Sequence, residues 1–175
     1  MKSFDDAFKF VIGEEGALSM DPTDRGNWDS GKVGVGNLRG TKYGISAMAY
    51  PHEDIANLTT DRAKVLYQRD YWDKFQGDAL PSMVGLGMFD CAVNEGVEES
   101  IKLAQKALGG TADGVFGPST LARLKMATAR WARSFAIERI MAYSTMAYWV
   151  QDHDGWVGRI LDVHLQMIMV NNRSD

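Results

Sequence analysis

The most constraining stretch of the chain is Met83 to Val93, which is apolar nearly all the way round a helix: Val84, Leu86, Met88, Phe89, Cys91 and Ala92 leave no polar face. A helix of this kind cannot lie on a surface. It predicts a buried axis around which other helices pack. Asp78-Ala-Leu-Pro81 opens it, with proline at the first turn, and Gly96 closes it. Asp90 and Asn94 interrupt the apolar surface four residues apart, hence on one face. Polar groups in such a helix either find partners inside the protein or line a cavity, and structural pairing is the more frequent use.

Helical periodicity recurs on both sides. Phe4, Ala7, Phe8, Val11 and Ile12 share one face of a first helix that Ser3 can cap. Continued, that face reaches Glu15, with Gly16 as the expected left-handed stop. Thr59 or Thr60 can cap a helix bearing Ala63, Leu66, Tyr67 and Tyr71. Further helices are expected over 97–108, from Pro118, over 130–150 and over 155–170, the last with Trp156, Ile160, Val163, Met167 and Ile168 on one stripe. Residues 17–45 differ: six glycines fall between Gly26 and Gly44, and the stretch reads as mostly loop, in which short runs such as Lys32–Val35 have the composition for a small hairpin. The pattern is mainly α, a helical globule with a glycine-rich loop or small hairpin flanking a cleft.

With 175 residues the chain has enough length for a real core. A net charge of −4 argues against nucleic-acid binding and against a polybasic membrane patch. The single cysteine, Cys91, excludes an internal disulfide and reads as core packing. The N-terminal residues lack the apolar run of a secretory signal, which predicts synthesis in the cytoplasm. His52, His153 and His164 have no metal-ligand spacing, no nucleophile elbow is present, and the glycines around Lys32 lack the spacing of a phosphate loop. No metal and no cofactor is expected.

Paired carboxylates remain. Glu15, at the inward and negative end of the first helix, is placed to stay protonated and to act as a general acid. A glutamate in a last turn is also commonly just a solvated residue. Asp21 and Asp24 follow in a turn where water and N–H groups can keep them ionised. Two carboxyl groups of opposed pKa are what glycosidic bond cleavage requires, although Asp-Pro and Asp-Arg are also common turn formers.

The motif Glu15-Gly16, Asp21-Pro22-x-Asp24-x-Gly26, then Thr41-Lys42-Tyr43-Gly44-Ile45-Ser46 resembles the signature of the glycoside hydrolase family 108 muramidases. Phe89-Asp-Cys-Ala-Val-Asn94-Glu-Gly96 and Thr111 to Thr120 resemble the peptidoglycan-binding segment that accompanies the catalytic part, and Gly155-Trp156 with Arg159 its closing helix. The resemblance runs from about Phe4 to Met167. It implies a lysozyme-like fold, with a catalytic part over 1–95 and a peptidoglycan-binding-like part over 96–175 that is either separate or merged into one domain.

By the same resemblance Glu15 is the catalytic acid and Asp24 the assisting carboxylate, with Asp21 in reserve. Thr41 would hold the attacking water, and Tyr43, Asp90 and Asn94 are further candidates for substrate binding. The implied reaction is cofactor-free hydrolysis of the β-1,4 bond between N-acetylmuramic acid and N-acetylglucosamine, by an inverting route. The implied role is that of a monomeric endolysin that accumulates in the host cytoplasm and reaches the wall through a holin lesion. A non-catalytic cell-wall adaptor is the alternative, motivated by Ala17 and Leu18, where relatives carry glycine and tyrosine. Amidase action is disfavoured by the lack of clustered His and Cys. The sixteen residues from Arg25 to Gly40 stand where relatives have about four. Their Trp28 either stacks on a sugar or pins the loop.

Overall fold

The computed structural model describes residues 4–13, 16–147 and 149–172. The expected cap Ser3 and the candidate acid Glu15 lie outside the described residues. The architecture is mainly helical and lysozyme-like, as expected from sequence. Among the described residues there are seven α-helices: α1 (Phe4–Val11), α2 (Thr60–Asp70), α3 (Ser82–Glu95), α4 (Val97–Ala107), α5 (Pro118–Lys125), α6 (Ala129–Tyr143) and α7 (Trp149–Asn171). One two-stranded antiparallel hairpin joins them, β1 (Thr41–Lys42) and β2 (Ile45–Ser46). No described helix is long and apolar enough to cross a membrane.

The chain forms two compact units, Phe8–Gln68 and Met1–Ala7 with Arg69–Asp175. Both α3, which ends at residue 95, and α4, which follows it, belong to the larger unit. The geometric units therefore do not coincide with a division after residue 95.

In the larger unit α3 is the buried axis that its composition demands. Every residue from Met83 to Ala92 is buried, and each large side chain so buried contributes roughly 1.5–3 kcal/mol. Helices α4, α6 and α7 pack around it. Two glycines permit the close approach: a Cβ at Gly85 would lie 2.8 Å from the Trp72 ring, and one at Gly87 2.6 Å from the Met167 methyl. Phe4 sets its ring against Trp72 and Phe89, each at 5.5 Å between centroids. Trp131 is buried, donates to the Ala104 carbonyl and stacks on Phe135. Trp149 and Trp156 pack on Tyr143 and Ile160.

The boundary between the last two helices differs from the expected one. The break falls after Tyr143, and Gly155 sits inside α7. The Ser144 and Thr145 hydroxyls donate to the Met141 and Ala142 carbonyls, consuming acceptors that a continuing helix would use. Such local competition outweighs the modest helix penalty of one glycine.

In the smaller unit Phe8, Ile45, Ile55, Leu58, Ala63, Leu66 and Tyr67 form the core. Tyr43 and Gly44 both have positive φ, 52° and 74°, the geometry of a two-residue primed turn, and so Thr41-Lys-Tyr-Gly-Ile-Ser46 closes into the hairpin. Of the two forms open to Lys32–Val35, loop and small hairpin, the structure has the loop: an exposed turn closed by the Val35 N–H on the Lys32 carbonyl.

Candidate functional site

Helix α1 ends at Val11, and Gly13, not Gly16, takes the left-handed conformation at φ +83°. The helical stripe expected to run on to Glu15 is therefore shorter than the sequence suggested. Positive φ at Gly13 releases the chain from the helix three residues before Gly16.

After Gly16 the chain runs alongside the hairpin. Ser19 and Thr41 form an antiparallel bridge, Ser19 N–H to Thr41 O at 2.8 Å and Thr41 N–H to Ser19 O at 3.0 Å. Gly16 itself meets Tyr43: a Cβ there would lie 2.2 Å from the Tyr43 ring. The ring is held from several sides. Its hydroxyl accepts from Thr60 Oγ1 at 3.0 Å, and the Tyr67 hydroxyl donates to the Tyr43 carbonyl at 3.0 Å. The Lys42 ammonium lies 5.6 Å from the ring centroid. Thr41 and Tyr43 are thus fixed beside the segment that follows Glu15.

The acidic turn is organised by its own side chains. Asp21 Oδ1 accepts the Thr23 hydroxyl at 2.7 Å and the Thr23 N–H at 2.8 Å, and these bonds hold its carboxyl below the ordinary range. Asp24 caps a short 3-10 turn, Arg25–Asn27, by accepting the Gly26 N–H on Oδ1 at 2.8 Å. Both carboxylates are exposed. Each keeps Oδ2 for other use.

Asn27 ties this turn to the hairpin, a role that the sequence alone did not signal. Fully buried, it donates from Nδ2 to the Asp21 carbonyl at 2.9 Å, while its backbone carbonyl accepts the N–H groups of Arg39 and Gly40. The long insertion therefore leaves and returns at one point. Its stem is the Trp28–Leu38 bridge, reinforced by Asp29, whose carboxylate accepts the Asn37 backbone and side-chain amides at 3.0 Å each. The Trp28 indole donates to the Pro22 carbonyl, so of the two uses considered the structure displays the pinning one.

Asp90 and Asn94 belong to the larger unit. Asp90 is fully buried, with Oδ2 on Arg139 Nη1 at 2.8 Å and Oδ1 on Arg159 Nη2 at 2.6 Å. Asn94 donates to the Asp90 carbonyl at 2.7 Å. Arg139 Nε also binds Glu95 Oε1 at 2.7 Å. Asp90 pairs with two arginines, the kind of structural partnership weighed from sequence for a polar group on this helix. Cys91 is buried, and burial pushes its thiol well up, so it is no nucleophile. Gln105 holds the 111–120 loop: its carboxamide donates to Asp113, Val115 and Thr120 and accepts the Gly114 N–H. Like Arg139, Gln105 carried no sequence signal beyond its polarity on a packed face.

Comparison with known proteins bears on these positions. The model of the family described as "Glycosyl hydrolase 108" matches residues 8–96, which include Glu15, Asp21, Asp24, Thr41, Tyr43, Asp90 and Asn94. A solved structure, "Structure of Brucella abortus SagA", is similar at a TM-score of 0.77 and 25% identity, over 96% of this chain and 95% of that one. No curated protein sequence matches the chain.

Proposed function

Because the chain belongs to glycosyl hydrolase family 108, and so is a glycoside hydrolase of the cell-wall kind, we propose that it is an N-acetylmuramidase. It cuts the β-1,4 bond between N-acetylmuramic acid and N-acetylglucosamine in peptidoglycan. The observation that carries this assignment is the family match over 8–96, which takes in both candidate carboxylates and Thr41. The Ser19–Thr41 pairing supports it, because the insertion leaves Thr41 beside the segment after Glu15.

In the proposed mechanism Glu15 protonates the glycosidic oxygen as the bond to the anomeric carbon breaks. Asp24 stabilises the oxocarbenium-like transition state and, as general base, takes a proton from the water that Thr41 positions for attack from the opposite face, so the product is inverted. Asp21, kept ionised by Thr23, adds negative potential to the same turn. No cofactor enters the scheme. The proposed role is that of an endolysin, released to the wall through a holin lesion, with α4 to α7 contributing to peptidoglycan binding.

The test is digestion of purified peptidoglycan by the wild type and by Glu15→Gln, with mass spectrometry of the fragments. New reducing ends on N-acetylmuramic acid that disappear in the variant are expected. Intact glycan from the wild type overturns the assignment, and free peptide amines would indicate an amidase instead.

A further inference from the structure

A cavity of about 350 Å3 in the larger unit is lined by residues of α3, α4, α6 and the turn that follows α6, a size within the range of small-ligand sites. Three carboxylates line it, Glu95, Glu99 and Glu138, together with the ammonium of Lys106. Glu99 and Lys106 stand two turns apart on α4 and therefore share a face. Met141 and Met146 supply apolar wall.

The charges of this cavity are not settled within the protein. Glu99, Glu138 and Lys106 have no ion pair among the described residues, whereas the neighbouring Asp90 and Glu95 are answered by Arg139 and Arg159. Two carboxylates against one ammonium leave an excess of one negative charge. Glu95 adds a second and independent observation. Its side chain is only 2% exposed, and Oε1 is taken by Arg139 Nε, yet the buried Oε2 has no hydrogen-bond partner among the described residues. A buried carboxylate oxygen without a donor is costly, and burial raises the pKa of this group. A donor brought by a ligand would relieve it.

The complementary ligand has an ammonium, a nearby carboxylate and a short aliphatic stem. A neutral sugar does not fit this chemistry, since no aromatic side chain among the described residues lines the cavity to stack on it. We propose that the cavity binds the amino-acid end of a diamino acid, such as the peptide stems of peptidoglycan carry. Glu99 and Glu138 take the ammonium, Lys106 takes the carboxylate, and Met141 and Met146 cover the methylene chain. The source of the ligand rests on peptidoglycan being the substrate; the binding chemistry does not.

The test is a titration of the full chain with meso-diaminopimelic acid and with lysine, followed by amide chemical shifts. Saturable binding is expected, with a dissociation constant on the order of 1 mM and shifts centred on 95–106 and 138–146. The double variant Glu99→Gln/Glu138→Gln should weaken binding about tenfold, as loss of charge-assisted hydrogen bonds predicts, and lysine acetylated on both amines should not bind. Lys106→Gln is the second variant and should weaken diaminopimelate binding while keeping the unfolding midpoint.

On intact peptidoglycan the double variant should show a raised KM, with turnover unchanged on glycan strands stripped of peptide. Absence of saturable binding up to about 20 mM, equal binding by wild type and double variant, or shifts mapping elsewhere overturns the proposal. The titration needs no catalysis, so a wild type that cleaves no glycan would sink the muramidase assignment without deciding this one.

Discussion

Ser19 and Thr41 exchange both of their backbone hydrogen bonds, at 2.8 and 3.0 Å, across the whole of the Arg25–Gly40 excursion. The excursion therefore leaves and returns at one point, with Thr41 paired to Ser19 at its end. Because the stem at Trp28–Leu38 and Asp29–Asn37 is closed by its own bonds, the tip is separable from it. Replacing residues 30–36 by an Asn-Gly turn should change unfolding free energy by no more than about 1 kcal/mol, measured in urea, and glycan cleavage should persist. A loss well beyond that would mean that the tip carries packing.

Asp24 has two separable roles. Its Oδ1 caps the Arg25–Asn27 turn, and in the proposed mechanism its charge assists hydrolysis. Asp24→Asn keeps an acceptor for Gly26 and should leave stability nearly unchanged while abolishing most activity. Asp24→Ala should lose the activity and also about 1 kcal/mol of stability, the usual worth of such a cap. Active Asp24→Asn would remove Asp24 from the mechanism.

Gly16 and Tyr43 are in steric contact, and the Tyr43 hydroxyl is anchored by Thr60. The ring has little freedom to retreat from a Cβ at residue 16. Gly16→Ala should destabilise the protein by about 1–3 kcal/mol, and the added Tyr43→Ala should recover part of that. A double-mutant cycle by thermal unfolding reads the coupling. Additive effects would refute the contact.

Arg139 is 2% exposed and serves two carboxylates, Asp90 and Glu95, whereas Arg159 is 41% exposed where it binds Asp90. Arg139→Met strands buried charge and should cost about 3–5 kcal/mol. Arg159→Met should cost clearly less, because water can replace its contact. Equal costs from chemical denaturation would contradict this ranking.

Glu95 holds its proton to higher pH in the folded protein than in the unfolded chain, because burial raises it above the ordinary 4.5. The stability linked to this group is therefore complete below that value and lost as pH rises through the raised folded one. Glu95→Gln does not titrate. The stability of wild type minus variant should fall as the pH is raised from about 4, measured by urea unfolding at constant salt; a rise would reverse the assignment.

Periodicity made the helices legible, and the all-apolar stretch around Phe89 made α3 the axis. That Asp90 needed a partner was also legible. Which partner was not, since Arg139 and Arg159 lie 49 and 69 residues away and nothing local encodes that pairing. The hairpin had a signal that went unread, Tyr43-Gly44 between Thr-Lys and Ile-Ser, because tyrosine rarely adopts positive φ. The end of α1 differs because Gly13 takes the stop expected of Gly16, and that of α6 because the Ser144–Thr145 hydroxyls leave no trace in the hydrophobic periodicity. At the site, the acidic residues were visible as motifs. Asn27 was not, because its importance lies in the three backbone groups it joins.

The larger unit draws on both ends of the chain, Met1–Ala7 and Arg69–Asp175, and this has a consequence for biosynthesis. As the polypeptide emerges, Asp90 appears long before either arginine that answers it, and Phe4 waits for Trp72 and Phe89. A nascent chain halted after residue 96 would carry the whole family-matching stretch, and in its axial helix an acid with no counter-charge. The C-terminal helices complete the interior around α3, so the larger unit closes only after they have been made, whereas Phe8–Gln68 already has its own core.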